Sequence, residues 1–270
     1  MITKEKFRLI KEKVESSVDE MFEMAKQNEV NKNDYILFLA NAENINKYHE
    51  YGENPHILDY RIFKLIDFDR RKFLLDYLNN SYSFNQEETI DSKNSLTLEL
   101  MIYSHIWESK PFLRQLKKIA NLCQSSDYNW LVEVPDYTKH TFIREELRDV
   151  FKVCDLNISE IITKGYHSSL RNAFSHSEYY FDHHELEKIH LTNSQGKEWE
   201  ISELTFNEWT ERFCYSFLLS HYFQNKFELE RESLIHNKPY PVNLKNRDGH
   251  NIDGIIQYDS ERKSYQGTII

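Results

Sequence analysis

The stretch Tyr166-His167-Ser168-Ser169-Leu170-Arg171-Asn172-Ala173-Phe174-Ser175-His176-Ser177-Glu178-Tyr179 interleaves apolar and polar residues at helical spacing. It predicts an amphipathic helix from about His167 to Phe181. Arg171 and His176 lie on it, five residues apart. The guanidinium supplies permanent positive charge and forked donors suited to phosphate. The imidazole gives or takes a proton near neutral pH. Together they are a minimal kit for cutting RNA without a metal.

The sequence on either side is also helical in pattern. Upstream, Leu96, Leu100, Tyr103, Ile106 and Trp107 make one apolar face, and Leu113, Leu116, Ile119 and Ala120 continue it beyond Pro111, which should kink or split the helix. Residues 140–164 return to helix with Phe142, Leu147, Val150, Phe151 and Ile158 apolar. Downstream, residues 186–202 alternate like strands: Leu186, Ile189 and Leu191 precede Asn193-Ser194-Gln195-Gly196, and Trp199 and Ile201 follow, which predicts a hairpin. Phe206, Trp209, Phe213, Phe217, Leu218 and Tyr222 mark a long helix ending near Arg231.

Residues 4–27 form a charged amphipathic helix with Phe7, Ile10, Val14, Val18, Met21, Phe22 and Ala25 on one stripe, ended by the polar run Asn28 to Asn33. Tyr35 to Tyr48 reads as a second helix, residues 51–55 as a loop, residues 57–79 as a third helix, and Asn79 to Gln86 as a linker. The last segment, with Pro239, Pro241, Asp248-Gly249 and short apolar runs near Ile255 and Tyr265, reads as a small β appendage. The expected architecture is mainly α: an N-terminal helical region over 1–93, a helical bundle with a β-hairpin insertion over 94–232, and a small β-containing tail over 233–270.

Composition agrees with this. Six Gly and five Pro in 270 residues are too few for an all-β sandwich, while 40% hydrophobic and 29% charged residues indicate a globular chain. A net charge of −10 repels phosphate globally, so nucleic acid must be met by a short, local cleft. Cys123, Cys154 and Cys214 are scattered, which points to reduced thiols and a cytoplasmic protein. No apolar signal core opens the chain, and no apolar run spans a bilayer.

The run Arg171-Asn172-Ala173-Phe174-Ser175-His176 resembles the Arg-x4-6-His signature of the HEPN superfamily, with Asn directly after Arg as in many members. The upstream Trp107-Glu108-Ser109-Lys110 and Phe112 to Leu116 segments, and a helix ending in Tyr166 to Leu170, fit the same frame, so the resemblance covers roughly 95–232. It implies a HEPN-type α-helical bundle that pairs as a homodimer, with the two motifs forming one composite ribonuclease site. It implies metal-independent cleavage of RNA to a 2′,3′-cyclic phosphate and a 5′-hydroxyl, in phage defence or a toxin–antitoxin context with a possible antitoxin partner. Some members carry a Tyr two residues after the His, which a partner nucleotidyltransferase adenylylates. Here that position is Glu178, and Tyr179 follows it, a departure that leaves Tyr179 to pack or to touch RNA.

On a regular helix, residues five apart differ by about 140° in azimuth and roughly 7.5 Å along the axis. Arg171 and His176 therefore need not touch, whereas two such helices about a two-fold axis bring four groups around one cleft. Asn172, four before His176, shares its face and is suited to orient the imidazole or bind a phosphate oxygen. Glu108 is a candidate to orient His176, set against a solvated or capping role. His183-His184 with His176 and His190 raises a metal reading, but their spacing offers no paired ligand set, and no cofactor is implied. His105 and His167 are left outside the site. The expected substrate is single-stranded RNA. The competing class is a catalytically inactive HEPN module that binds nucleic acid, nucleotide or a protein partner.

Overall fold

The apolar stripe of residues 4–27 becomes the buried side of helix α1 (Lys4–Gln27), with Ile10, Val14, Val18, Met21, Phe22 and Ala25 all buried. The structure is a computed structural model and describes residues 2–45, 56–59, 72–77, 79–82, 93–182, 187–198, 200–234, 238–245 and 250–270. It is mainly helical with a few small antiparallel sheets. After α1 come α2 (Asp34–Leu39), strands β1 (Glu43–Asn44) and β2 (His56–Ile57), α3 (Lys93–Glu108) and α4 (Lys110–Cys123). Helix α5 (Lys139–Thr141), a π-helical stretch Phe142–Arg148, and α6 (Asp149–Val153) follow, then α7 (Ile158–Gly165) and α8 (Ser168–Ser175). The chain continues through β3 (Tyr179–Phe181), β4 (Lys188–Leu191), β5 (Glu203–Thr205) and the long α9 (Phe206–Glu232) to β6 (Tyr240–Lys245), β7 (Asn251–Asp259) and β8 (Ser264–Ile269).

These elements form two compact units, each from three segments: Met1–Ser17, Phe68–Ser109 and Asn157–Tyr222 in one, Val18–Asp67, Lys110–Leu156 and Phe223–Ile270 in the other. The division does not follow the linear segmentation 1–93, 94–232 and 233–270, because α1 and α9 each contribute to both units. The chain passes between units at Ser109, where α3 ends and α4 begins with Pro111 in its first turn. That placement spares a proline whose missing N–H costs nothing there.

In the first unit, Trp107, Trp209, Tyr103, Phe213 and Leu170 are almost fully buried. Glu99 is buried among them and accepts three hydrogen bonds, from Tyr77 Oη (3.1 Å), Tyr82 Oη (2.7 Å) and Trp209 Nε1 (2.8 Å). Tyr82 falls in the expected linker but is core: it also stacks on Phe7 at 5.3 Å. Trp107 Nε1 donates to Ser216 Oγ at 3.0 Å. Gly165, the last residue of α7, lies so close to α9 that a Cβ there would sit 2.9 Å from Ser216 Oγ and 3.2 Å from its backbone nitrogen.

In the second unit, Phe22, Phe38, Phe223 and Phe227 form a ring cluster. Strands β6, β7 and β8 form a three-stranded antiparallel meander whose Val242, Ile256, Tyr258 and Tyr265 are buried. The expected β tail is thus part of this unit's core. Arg231, 1% exposed, pairs with Asp59 at 2.6 Å, donates to the Leu39 carbonyl, and lies against the rings of Phe227, Tyr258 and Tyr265. Lys118, also 1% exposed, donates to the Ala42 carbonyl (2.8 Å) and to Glu43 Oε1 (3.2 Å).

Several expected boundaries move, for one reason. The helix expected over 35–48 ends at Leu39, that over 140–164 breaks after Val153, and the motif helix expected to reach Phe181 ends at Ser175. Beyond each end sits a left-handed residue: Asn41 (φ 48), Asp155 (φ 57) and Ser177 (φ 56). Each closes its helix with the paired 5→2 and 6→1 backbone hydrogen bonds of a Schellman motif, as at Ser177 N to Phe174 O and Glu178 N to Ala173 O. Glycine, the usual signal for this closure, is absent from all three. The expected third helix over 57–79 is seen only in part, with residues 56–57 in a strand and 72–77 helical. The loop over 51–55, His183-His184 and Trp199 lie outside the described residues.

Candidate functional site

Helix α8 opens on His167, whose Nδ1 accepts from the Ser169 backbone N–H at 3.2 Å and caps the first turn. Tyr103 on α3 holds this entry from below. Its hydroxyl accepts from His167 N (2.7 Å) and lies 3.3 Å from the His167 carbonyl. Burial pushes the Tyr103 phenol well above its ordinary pKa, so it stays protonated and able to donate. Leu170 and Ala173 are fully buried and seat the helix in the first unit, against α3. That packing aims Arg171 toward the C-terminal end of α3.

Arg171 is half-buried. Its Nε pairs with Glu108 Oε1 at 2.8 Å, and its Nη1 donates to Asn172 Oδ1 at 2.8 Å. Among the described residues these two side chains hold the guanidinium, leaving its Nη2 group and one Nη1 proton able to meet an oxyanion. Glu108 reaches Arg171, so the orienting role considered for it toward His176 is exercised on the guanidinium. Asn172 likewise spends its side-chain oxygen on Arg171, and meets His176 through the backbone, where His176 N donates to Asn172 O at 3.0 Å.

His176 is the C-cap of α8 (φ −105, ψ 6) and is exposed. The left-handed turn at Ser177 stops the helix directly after it, so the imidazole stands at the helix end and not along its flank. Tyr179 enters β3, opposite Leu191, with its half-buried ring 5.8 Å from Phe174 and 5.7 Å from Phe181. Of the two roles expected for it, the geometry gives packing.

The expected hairpin is a three-stranded antiparallel sheet in the order β3-β4-β5, with Ile189 facing Phe181 and Leu204. Its second strand begins at Glu203, later than Ile201, and the Thr192 N–H donates to Glu178 O at 2.9 Å, tying the sheet to the motif turn. Sequence patterning missed the strand Tyr179–Phe181, and with it the pairing of Tyr180 and His190. Their rings stack at 4.9 Å with 14° between planes. Alternation over three residues was too short a signal beside a helical motif. His190 lies between Asp182 (3.4 Å) and Glu203 (3.6 Å). No group of three His, Cys, Asp or Glu suited to a metal occurs among the described residues. Comparison with known protein families, curated proteins and solved structures finds no match to this chain.

Proposed function

We propose that this chain is a metal-independent endoribonuclease of the HEPN type, working as a homodimer in which two α8 motifs frame one cleft. The observation that carries the reading is the anchored Arg171 five residues before an exposed helix-end His176, with Glu108 and Asn172 fixing the guanidinium. Such an arrangement presents oriented donors to a phosphate and a free imidazole to solvent.

Cleavage begins when one imidazole takes the proton of the 2′-hydroxyl and the 2′-oxygen attacks phosphorus. The dianionic phosphorane is stabilised by Arg171. The P–O5′ bond then breaks while an imidazolium protonates the leaving oxygen, giving a 2′,3′-cyclic phosphate and a 5′-hydroxyl. Two proton transfers call for two imidazoles, and one motif supplies one, which is why the reading requires a second copy. A net charge of −10 suits a short single-stranded stretch held locally, with little contact beyond it. A role in phage defence or in a toxin–antitoxin pair in the cytoplasm belongs to the same proposal.

The test is incubation of end-labelled RNA with purified protein in EDTA. Cleavage by the wild type, lost in Arg171→Ala and His176→Ala with circular dichroism unchanged, supports the reading. Full activity in either variant, or a strictly monomeric mass for the active protein, removes it. One observation favours the second reading, a binding module without catalysis: the Arg171 charge is already paired with Glu108. RNA binding without cleavage in the same assay selects that reading.

A further inference from the structure

The outward face of the β3-β4-β5 sheet carries groups that the cleavage chemistry does not use. Strand alternation sends Tyr179 and Phe181 to the packed side, where Phe181 meets Phe206 at 6.1 Å. Tyr180 goes to the opposite side and is 53% exposed. His190 is its cross-strand partner, and the two rings lie nearly parallel at 4.9 Å. The imidazole is in turn flanked by Asp182 Oδ2 and Glu203 Oε2, and Lys188 pairs with Glu203 Oε1 at 3.0 Å. One face of the phenol is therefore backed by a held ring while much of its surface faces solvent. A large aromatic fixed in this way loses little freedom when a second flat ring is laid on it. Asp182 and Glu203 disfavour a phosphate at the same spot, so an aromatic base fits there better than a backbone.

We infer that Tyr180 is a stacking platform for a nucleobase of single-stranded RNA, on the sheet face opposite the one whose Tyr179 packs on Phe174 of α8. The inference rests on the ribonuclease reading for its ligand. Tyr180 lies four residues past His176, and the backbone hydrogen bond from Thr192 to Glu178 joins the sheet to the turn that carries the imidazole. A nucleotide on the platform is therefore one further along the strand than the one at the cleaved bond, and every base has a face able to stack.

The experiment measures fluorescence anisotropy of a dye-labelled single-stranded oligonucleotide with 2′-fluoro sugars, which lacks the attacking hydroxyl. Wild type, Tyr180→Ala, Tyr180→Phe, Tyr180→Trp and His176→Ala are compared, with cleavage of the ribose form followed in parallel. Tyr180→Ala should weaken binding roughly 5- to 100-fold, with Phe and Trp near wild type and His176→Ala binding but not cutting. Tyr180→Ala binding as tightly as wild type overturns the platform even if cleavage is robust. Phe and Trp variants as weak as Ala also overturn it. Tyr180-dependent binding without cleavage by the wild type supports the platform and removes the ribonuclease reading. No binding by the wild type overturns the platform, and the parallel cleavage of the ribose form decides the ribonuclease reading separately.

Discussion

Arg231 and Asp59 offer the sharpest test of what holds the second unit together. Both side chains are almost fully buried, at 1% and 4% exposure, with Nη2 and Oδ1 2.6 Å apart. Asp59 also accepts from the Tyr265 backbone N–H, and Arg231, near the end of α9, donates to the Leu39 carbonyl. With charge centres about 4 Å apart and an effective dielectric near 20, the attraction is about 4 kcal/mol. Desolvation of both ions opposes this, so the pair adds little net stability, but removing Arg231 strands Asp59, and removing Asp59 leaves Arg231 only the more exposed Glu228 at 3.9 Å. Arg231→Met should therefore cost about 3–5 kcal/mol, and Asp59→Asn a similar amount. Asn tolerates the left-handed backbone at this position, so the second variant tests charge and not strain. The double variant buries no net charge and should cost less than the sum of the singles by about 3 kcal/mol. Urea unfolding followed by circular dichroism gives these values, and high salt should change them little because the pair is screened from solvent. A loss below about 1 kcal/mol in either single variant, or strict additivity in the double, would refute the argument.

Three further outcomes follow from the geometry. Ser177→Gly should stabilise the chain by about 0.5–1 kcal/mol, since the left-handed closure of α8 strains any residue with a Cβ; a thermal melt measures it, and a lower melting temperature would contradict it. Burial lowers Lys118 to about 8 against an ordinary 10.5, partly opposed by Glu43. The unfolded chain then holds a proton that the folded chain releases, so this group's contribution to stability rises with pH above 8. Wild type should gain about 1 kcal/mol over Lys118→Met between pH 7 and 9, and parallel curves would exclude it. The raised thiol of Cys123 and phenol of Tyr128 act the opposite way at higher pH, which is why the comparison stops at 9. Under the proposed ribonuclease reading, Glu108→Gln should lower kcat on RNA roughly 10- to 100-fold with KM little changed, by loosening Arg171. A wild-type kcat in Glu108→Gln would show that the pairing with Arg171 does not serve the chemistry.

Much of the helical frame was legible as periodicity. The stripes Ile10 to Ala25, Leu96 to Trp107 and Leu113 to Ala120 are buried as their spacing predicts, and the long helix expected to end near Arg231 ends at Glu232. A repeat of 3.6 residues is local, so burial of one face follows wherever a partner surface exists. Helix ends were less legible, because Asn41, Asp155 and Ser177 adopt a conformation normally announced by glycine. Tyr82 was read as linker because its polar neighbours outweigh it locally, although a distant carboxylate, Glu99, awaits its hydroxyl.

The charged groups mark the boundary between the two kinds of information. By itself, the sequence determined the residue types of the candidate site, Arg171, Asn172 and His176, and the helix that carries them, since both are properties of neighbours along the chain. Only the tertiary structure decided that Glu108 and not solvent holds Arg171, that His176 caps its helix, that Tyr180 stacks on His190, and that Arg231 meets Asp59 from 172 residues away. Those pairings depend on which buried surfaces meet, and a side chain's partner across the fold leaves no periodic trace in the sequence around it.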